Sequence, residues 1–419
     1  MQKVIQNITS HKQVILSYLA IFIVLLFLIP FPQHGGYDRL CWITWANFIF
    51  GNGLENIYKF DVDYLPLYHY VLYFYGLIQG SSEKIVSNIN QLKYVTLLFE
   101  VVSIYFVYLL ILPKYKTQFT AFFATLFILL NISFLYDNFL YGQVDGIYTA
   151  MAFLSIFFAI NKRVGLSLLF IVIAINFKLQ AIVFLVLVGL ILVPEIIKKF
   201  SFSNLISWIL PSLIFQVLVI LPFVVSGDFS TLVYVIKSSM GRYPKVSMGA
   251  YNIWYLIFDA PYEINDKQGV FGRSYHKYGL LLFFVTSGIA LLPLIQNAFN
   301  AILRRKVKEV SVAYILLVAT IIPFVFFFFN TQMHSRYVHS SVLMGGAYAL
   351  YTKRVWSYVL LSVAYFFNIE GGIKMLKGDI SEYKTLLFQP KFVVFVFLIA
   401  LLRLFYELFY KKYLSSERN

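Results

Sequence analysis

Long apolar runs separated by short polar breaks dominate the chain from residue 14 to residue 410. A membrane-spanning helix needs about 20 predominantly apolar residues, and this chain offers such runs along nearly its whole length. The pattern therefore predicts an all-α polytopic membrane protein with about twelve transmembrane helices in one domain, residues 1–419. The predicted spans are 14–32, 92–112, 119–136, 143–160, 164–177, 179–197, 205–226, 278–297, 311–329, 337–351, 355–369 and 391–410.

Basic residues cluster in the turns between these runs, and they set the predicted orientation. Short cytoplasmic loops carry an excess of Lys and Arg. With a cytoplasmic N-terminus and an uncleaved signal anchor, the predicted spans place every basic turn inside. The turns are 113–116, 161–163, 198–199, 304–308, 352–354 and 411–412. The apolar segment 63–80 then has to lie in the outer interface or re-enter. Two long outer loops follow, 33–91 and 227–277.

Composition narrows the class of protein further. The chain is 60% hydrophobic with a mean hydropathy of +0.77, so no soluble catalytic domain is left over. Its net charge of +15 is explained by the basic turns, which argues against nucleic acid as a partner. A single cysteine, Cys41, excludes an internal disulfide framework and a cysteine metal cluster.

Carboxylates in the first outer loop are the first candidates for chemistry. Asp38, in "GGYDRLCW", is either a general base for a hydroxyl group or an ordinary acid in the first turn of a helix running toward Gly51. Asp61 and Asp63 have the D-x-D spacing of a metal site in nucleotide-sugar enzymes. The nucleotide-binding fold of those enzymes is missing here, so a divalent metal is left open but not expected.

Further polar residues occur at predicted outer ends of spans. Gln143 and Asp145 in "LYGQVDGIY" either bind sugar hydroxyls or cap a helix. Lys178, the only charge between 164 and 194, either snorkels to the interface or attracts a phosphate.

A histidine- and arginine-containing turn adds positive charge on the outer side. His334 and Arg336 in "NTQMHSRYVHS" indicate an anionic ligand such as phosphate, because positive charge is disfavoured there. Metal binding by His334 and His339 lacks a nearby acidic ligand. Asn252 and Trp254, in "GAYNIWYL", belong either to a sugar-binding wall or to ordinary interface packing.

The order of these motifs resembles the GT-C superfamily of membrane glycosyltransferases. Within it, the chain is most similar to bacterial membrane proteins that resemble the second mannosyltransferase of GPI-anchor synthesis. The resemblance covers residues 38 to 337, with Leu65 and Ser335 departing from the family's proline and glutamate. It implies a polyprenyl-phosphate sugar donor, a site on the non-cytoplasmic face and an acid at the position of Asp38 as catalytic base.

The sequence thus leads to a hypothesis of inverting hexosyl transfer, with mannose as the family's sugar, to a lipid-linked glycan, glycolipid or protein. Asp38 is the predicted base, and Lys178, His334 and Arg336 are predicted to bind the donor phosphate. The remaining candidates are predicted to bind sugar or acceptor: Asp63, Tyr64, Gln143, Asp145, Asn252, Trp254 and Tyr337.

No cofactor is expected, and the predicted location is a bacterial inner membrane with the site facing outward. A transporter or flippase for lipid-linked sugars is the alternative, and a non-catalytic scaffold is the third class. A separation of more than about 15 Å between Asp38 and Arg336 would exclude the catalytic hypothesis, because a general base must reach the reacting atoms.

Overall fold

The computed structural model describes residues 11–31, 36–238, 241–376 and 386–410. Residues 33–35 of the first outer loop, the start of the signal anchor and the basic turn at 411–412 lie outside them. The described helices are α1 Lys12–Leu26, α2 Gly36–Asn52, α3 Pro66–Gln79, α4 Ser82–Ser87, α5 Lys93–Ile111, α6 Gln118–Leu129, α7 Ile132–Phe139, α8 Asp145–Ile160, α9 Val164–Phe177, α10 Leu185–Lys198, α11 Phe202–Val225, α12 Phe229–Ser238, α13 Trp254–Ile257, α14 Tyr275–Ile302, α15 Val312–Phe329, α16 His339–Thr352, α17 Trp356–Leu376 and α18 Pro390–Tyr410.

Short elements complete the described architecture. Turns of 3₁₀-helix lie between or next to the α-helices, at Leu54–Lys59, Ile89–Leu92, Leu112–Lys114, Leu179–Phe184, Ser335–Val338 and Leu386–Phe388. Two short antiparallel strands, β1 Gly269–Val270 and β2 Arg273–Ser274, form a hairpin in the second outer loop.

Six described helices are long and apolar enough to cross a membrane, or seven if the bent pair α6 and α7 forms one span. The predicted count of about twelve is therefore not confirmed. Helices do occupy every predicted span, but several are short: α1, α8 and α9 have 15, 16 and 14 residues. A helix of 14 residues is only about 21 Å long, well below the hydrocarbon thickness. Helix α17 is long enough but less apolar.

The segment predicted to lie in the interface forms helix α3 and is not among the six. Pro66 starts the helix at a position where a missing N–H costs nothing, and Gly80 ends it with a positive φ of 70°. Its buried side chains, among them Tyr68 and Leu72, pack against α2 and so form a satellite core in the first outer loop. This core fixes the orientation of α2, which carries Asp38.

The centre of the molecule is a bundle in which α15 and α16 are almost entirely buried. In α15, 83% of the apolar window lies inside the protein, whereas in α11 the corresponding value is 11%. Helix α8 is also buried along most of its length and packs against α5 and α9. The first residues of α8 and the segment before α16 are therefore held rigidly, and both contribute to the site described below.

The second outer loop is tied to the connection between α15 and α16. Met248 N–H donates to the carbonyl of Met333 at 2.9 Å, and Gln332 N–H donates to the carbonyl of Lys245 at 3.0 Å. Asn368 of α17 donates to the carbonyl of Gly249 at 2.9 Å. These bonds satisfy buried backbone groups and hold the loop over one end of the bundle.

Candidate functional site

A cavity of about 820 Å³ lies where the two outer loops meet the ends of α2, α9, α14 and α15. Its volume falls in the range of small-molecule sites. Most of its lining is apolar or aromatic, and Asp38, Asp63, Lys178 and Arg336 are among its charged residues. The cavity thus brings together groups from distant parts of the sequence.

Asp38 lies in the first turn of α2, and one of its oxygens carries all of its hydrogen bonds. Oδ2 accepts from Gln143 Nε2 at 2.7 Å and from Arg336 Nη1 at 3.2 Å. Oδ1 accepts none from the described residues. The side chain is 23% exposed and lines the cavity. The first-turn position also suits a carboxylate because of the helix dipole, so the interpretation as a first-turn acid is met, and the role of general base stays a prediction.

Arg336 is shared between two carboxylates. Besides its bond to Asp38, its Nε lies 3.5 Å from Asp145 Oδ2. The 3₁₀ turn Ser335–Val338 after α15 buries the side chain, and its guanidinium lies over the rings of Tyr141 and Tyr337. The separation of Asp38 and Arg336 is therefore that of a direct contact and meets the distance requirement of the catalytic hypothesis.

Lys178 is the second buried cation of the site. It occupies an extended residue between α9 and the 3₁₀ turn Leu179–Phe184, so the chain breaks where the sequence offered no Gly or Pro. Its ammonium donates to both oxygens of Asp145, at 2.8 and 2.9 Å. Its exposure of 7% excludes snorkelling to water.

Together, Asp38, Arg336, Asp145 and Lys178 form a chain of two carboxylates and two cations. Because unpaired buried charges are very costly, this balance explains how the fold keeps them at the edge of an apolar bundle. Removing one member would leave its neighbours uncompensated.

The charges of this network shift the ionisation of Asp38. Burial alone would raise the pKa of its carboxyl group, but the Arg336 guanidinium and the Gln143 hydrogen bond outweigh burial and hold the pKa below its ordinary value. Asp38 is therefore a carboxylate throughout the neutral pH range.

His334 also lines the cavity, but its ring is uncharged. Burial, reinforced by the neighbouring Arg336, lowers its pKa to about 3. In the ligand-free protein His334 can therefore act toward an anion as a hydrogen-bond donor and not as a fixed cation.

Asp63, Tyr64 and Tyr337 line the same cavity, as predicted for residues that bind sugar or acceptor. The ring centroids of Tyr64 and Tyr337 lie 5.8 and 5.2 Å from the Lys178 ammonium. Asp63 has one ionic partner, Arg242 Nε at 3.7 Å, and accepts no hydrogen bond from the described residues.

Four other residues predicted to bind sugar are placed differently. Gln143 is buried and holds Asp38, and Asp145 is fully buried against Lys178 and Arg336. Asn252 donates to the carbonyls of Phe327 and Asn330, and Trp254 donates to the carbonyl of Phe329. The prediction for Asn252 and Trp254 needs correction, because their polar groups fix the backbone at the end of α15. Asp145 is likewise a counter-ion, not a sugar ligand.

Sequence reasoning missed several lining residues. Trp42 lies on α2 one turn after Asp38, and that helical spacing was the available signal. Arg242, which contacts Asp61 at 3.3 Å as well as Asp63, and Tyr141 under Arg336 had no local signal.

The described residues contain no group of three or more His, Cys, Asp or Glu side chains placed to hold a metal ion. His339 is fully buried, with Nδ1 3.3 Å from Asp137 Oδ2, and does not line the cavity with His334. These two histidines therefore do not form the metal pair considered from the sequence. Independence from metal stays a prediction.

The chain matches no protein-family model and no curated protein. Any inference about chemistry consequently rests on the site itself. Among the described residues, it combines a carboxylate held through one oxygen, two buried cations and a largely apolar cavity.

Proposed function

We propose that this protein is a membrane glycosyltransferase that moves a hexose from a polyprenyl-phosphate carrier to a hydroxyl group, with inversion. The observation that carries the proposal is the direct contact of Asp38 with Arg336 at the edge of the cavity. A base and a phosphate-binding cation have to line the same cavity for one sugar to contact both.

In the proposed reaction, the acceptor oxygen attacks the anomeric carbon while its proton passes to Asp38 Oδ1. The new carbon–oxygen bond forms as the bond from that carbon to the phosphate oxygen breaks, and the electron pair stays on the phosphate. Arg336 and Lys178 stabilise the charge that grows there, and His334 donates a hydrogen bond. The apolar part of the lining, which includes Ile182, Leu280 and Phe326, suits the first part of a lipid chain.

Donor binding also changes the state of the base in this mechanism. A phosphate that engages Arg336 competes with Asp38 for the guanidinium. Because that guanidinium is what lowers the pKa of Asp38, its diversion makes the carboxylate more basic. The proton acceptor is thus strengthened when the donor is in place.

The test uses purified full-length protein in detergent with a series of radiolabelled polyprenyl-phosphate hexoses. Labelled sugar should leave the carrier and appear on a hydroxyl acceptor. Detergent abolishes any gradient, so the transporter or flippase alternative predicts no transfer. Donor that stays intact with every sugar and acceptor would refute the proposal.

A further inference from the structure

Several polar atoms near the cavity lack hydrogen-bond partners among the described residues. Trp42 is 2% exposed, and its Nε1 has no partner. The hydroxyl group of Tyr64 has none either. Both residues line the cavity. Buried polar groups are almost always hydrogen-bonded. Unpartnered polar groups beside a cavity therefore indicate that a ligand in the cavity supplies their hydrogen-bond partners.

The residues that carry these atoms lie near Asp38. Trp42 follows Asp38 by one helical turn, so both side chains share a face of α2. The rings of Trp42 and Tyr64 meet edge to face at 5.0 Å, and Asp63 is adjacent to Tyr64 in the chain. A ligand that satisfies Trp42 and Tyr64 therefore lies beside the proposed base.

The side chains of Trp42, Asp63 and Tyr64 favour a neutral, hydroxylated ligand. Trp42 offers a donor, Tyr64 offers a donor and an acceptor, and the Asp63 carboxylate accepts no hydrogen bond from the described residues. Burial raises the pKa of Asp63 above its ordinary value, which Arg242 only partly offsets. A second phosphate would meet the carboxylates of Asp38 and Asp63 here, and the nearby cations Lys178 and Arg336 are already paired with Asp145 and Asp38.

We infer that Trp42, Asp63 and Tyr64 form the acceptor subsite, which binds a sugar ring through its hydroxyl groups beside Asp38. This inference rests on the proposed glycosyl transfer and specifies its acceptor as a glycoside. The aromatic rings supply the apolar face on which a pyranose packs, and the polar atoms fix the hydroxyl that faces Asp38.

The molecule provides a matched control. Tyr68 also packs on Trp42, at 4.7 Å, and its hydroxyl group is also buried without a partner among the described residues. Tyr68 does not line the cavity. Tyr64→Phe and Tyr68→Phe thus remove the same atom from neighbouring rings, one beside the cavity and one behind it.

The experiment measures three quantities for wild type, Tyr64→Phe, Tyr68→Phe and Trp42→Phe in a sugar-free detergent. The first quantity is the binding of methyl α-glycosides of glucose, mannose and galactose, followed by tryptophan fluorescence. The second is the transfer of labelled hexose to the glycoside that binds best. The third is the hydrolysis of the same donor by water. We expect Tyr64→Phe to weaken glycoside binding and raise the acceptor KM by roughly tenfold, with donor hydrolysis and donor KM unchanged. Trp42→Phe should behave similarly and Tyr68→Phe like wild type.

The subsite is overturned if Tyr64→Phe and Tyr68→Phe are alike, if Tyr64→Phe raises the donor KM instead, or if wild type binds none of the glycosides. Failure of the proposed function looks different. Wild type would then bind a glycoside in a Tyr64-dependent way but leave every donor intact. That result would refute the proposed glycosyl transfer and would still support the sugar-binding subsite.

Discussion

Asp38 shows how a single residue satisfies a structural and a chemical demand at once. It sits in the first turn of α2, and both hydrogen bonds that it accepts from described residues fall on Oδ2. The carboxylate is thereby oriented by Gln143 and Arg336, while Oδ1 accepts no hydrogen bond from the part of the chain that the structure describes. Its position beside an apolar run singled out this carboxylate, because a charge there is costly to keep, whereas its role as a base stays a prediction.

The first prediction concerns this carboxylate. Asp38→Asn keeps the size of the side chain but removes the proton acceptor, so transfer should fall by roughly 10²–10⁴. Initial rates with saturating donor measure the effect, and an unchanged elution profile shows an intact fold. Asp61→Asn is the control, because Asp61 lines the same cavity but its side chain is 87% exposed. Wild-type rates in Asp38→Asn would remove Asp38 from the mechanism.

The second prediction concerns pH. Arg336 holds the pKa of Asp38 down against burial, so in Arg336→Gln the pKa should rise. A base with a raised pKa becomes protonated at higher pH, and the acid limb of kcat/KM should therefore move upward. Profiles between about pH 4 and pH 8 measure this shift. His334→Gln should leave the limb in place, because His334 is neutral above about pH 3. An identical acid limb in Arg336→Gln would show that another group is the base.

At the scale of elements, the close crossing of α14 over the end of α15 shapes the site. A Cβ on Gly279 would lie 2.7 Å from the carbonyl oxygen of Phe329 and 3.1 Å from the Cα of Asn330. The two backbones therefore meet directly, next to the residues that continue into the cavity lining. A side chain at this position would push the lining apart.

The third prediction follows from that crossing. Gly279→Ala should destabilise the protein by about 1–3 kcal/mol, because backbone atoms cannot move aside as a flexible side chain would. Gly288 lies on the same helix, and a Cβ added there would meet no described atom within 4 Å. Gly288→Ala should be neutral or stabilise by roughly 0.5–1 kcal/mol through helix propensity. Thermal unfolding in detergent distinguishes the two, and equal melting temperatures would contradict the crossing.

The sequence located helices better than spans. Apolar runs predicted a helix in each of the twelve segments, since the pattern reports sustained burial. It could not tell burial in protein from burial in lipid. Helix α8 is apolar because other helices cover it, whereas α11 faces outward along most of its length. The count of about twelve spans stays unconfirmed, because several of these helices are shorter than the hydrocarbon thickness.

The candidate site was also predictable only in part from the sequence. Charges in apolar surroundings identified Asp38, Lys178 and Arg336, because such groups are kept only with partners. The partners themselves lie far away in the sequence. Trp254 donates to a carbonyl 75 residues later, and no local pattern reveals that bond. Polar residues whose bonds go to distant backbone therefore looked like ligand-binding residues.

At the scale of the whole molecule, the fold makes the predicted orientation in the membrane testable. The second outer loop and the basic turn 304–308 lie at opposite ends of α14, a helix of 28 residues. A helix of that length is about 42 Å long and can cross a bilayer. The two ends should therefore be reached from opposite sides.

The fourth prediction uses that geometry. Phe271→Cys and Lys306→Cys, each in a Cys41→Ser background, place single thiols at exposed positions, Phe271 being 96% exposed. A membrane-impermeant maleimide should label Phe271→Cys in intact cells and Lys306→Cys only after permeabilisation. The opposite pattern would put the cavity on the cytoplasmic side.

In the proposed transfer, the pairing of Arg336 with two carboxylates also affects the release of the spent carrier. An incoming anion has to displace Asp38 from Arg336. The net free energy of binding is therefore the attraction of the anion for Arg336 minus the attraction of Asp38 that is lost. A spent carrier, without a sugar to fill the rest of the cavity, gains least from this exchange. The Asp38 carboxylate then competes with the spent carrier for Arg336 and favours its release from the cavity. For the same reason, inorganic phosphate should be a poor inhibitor.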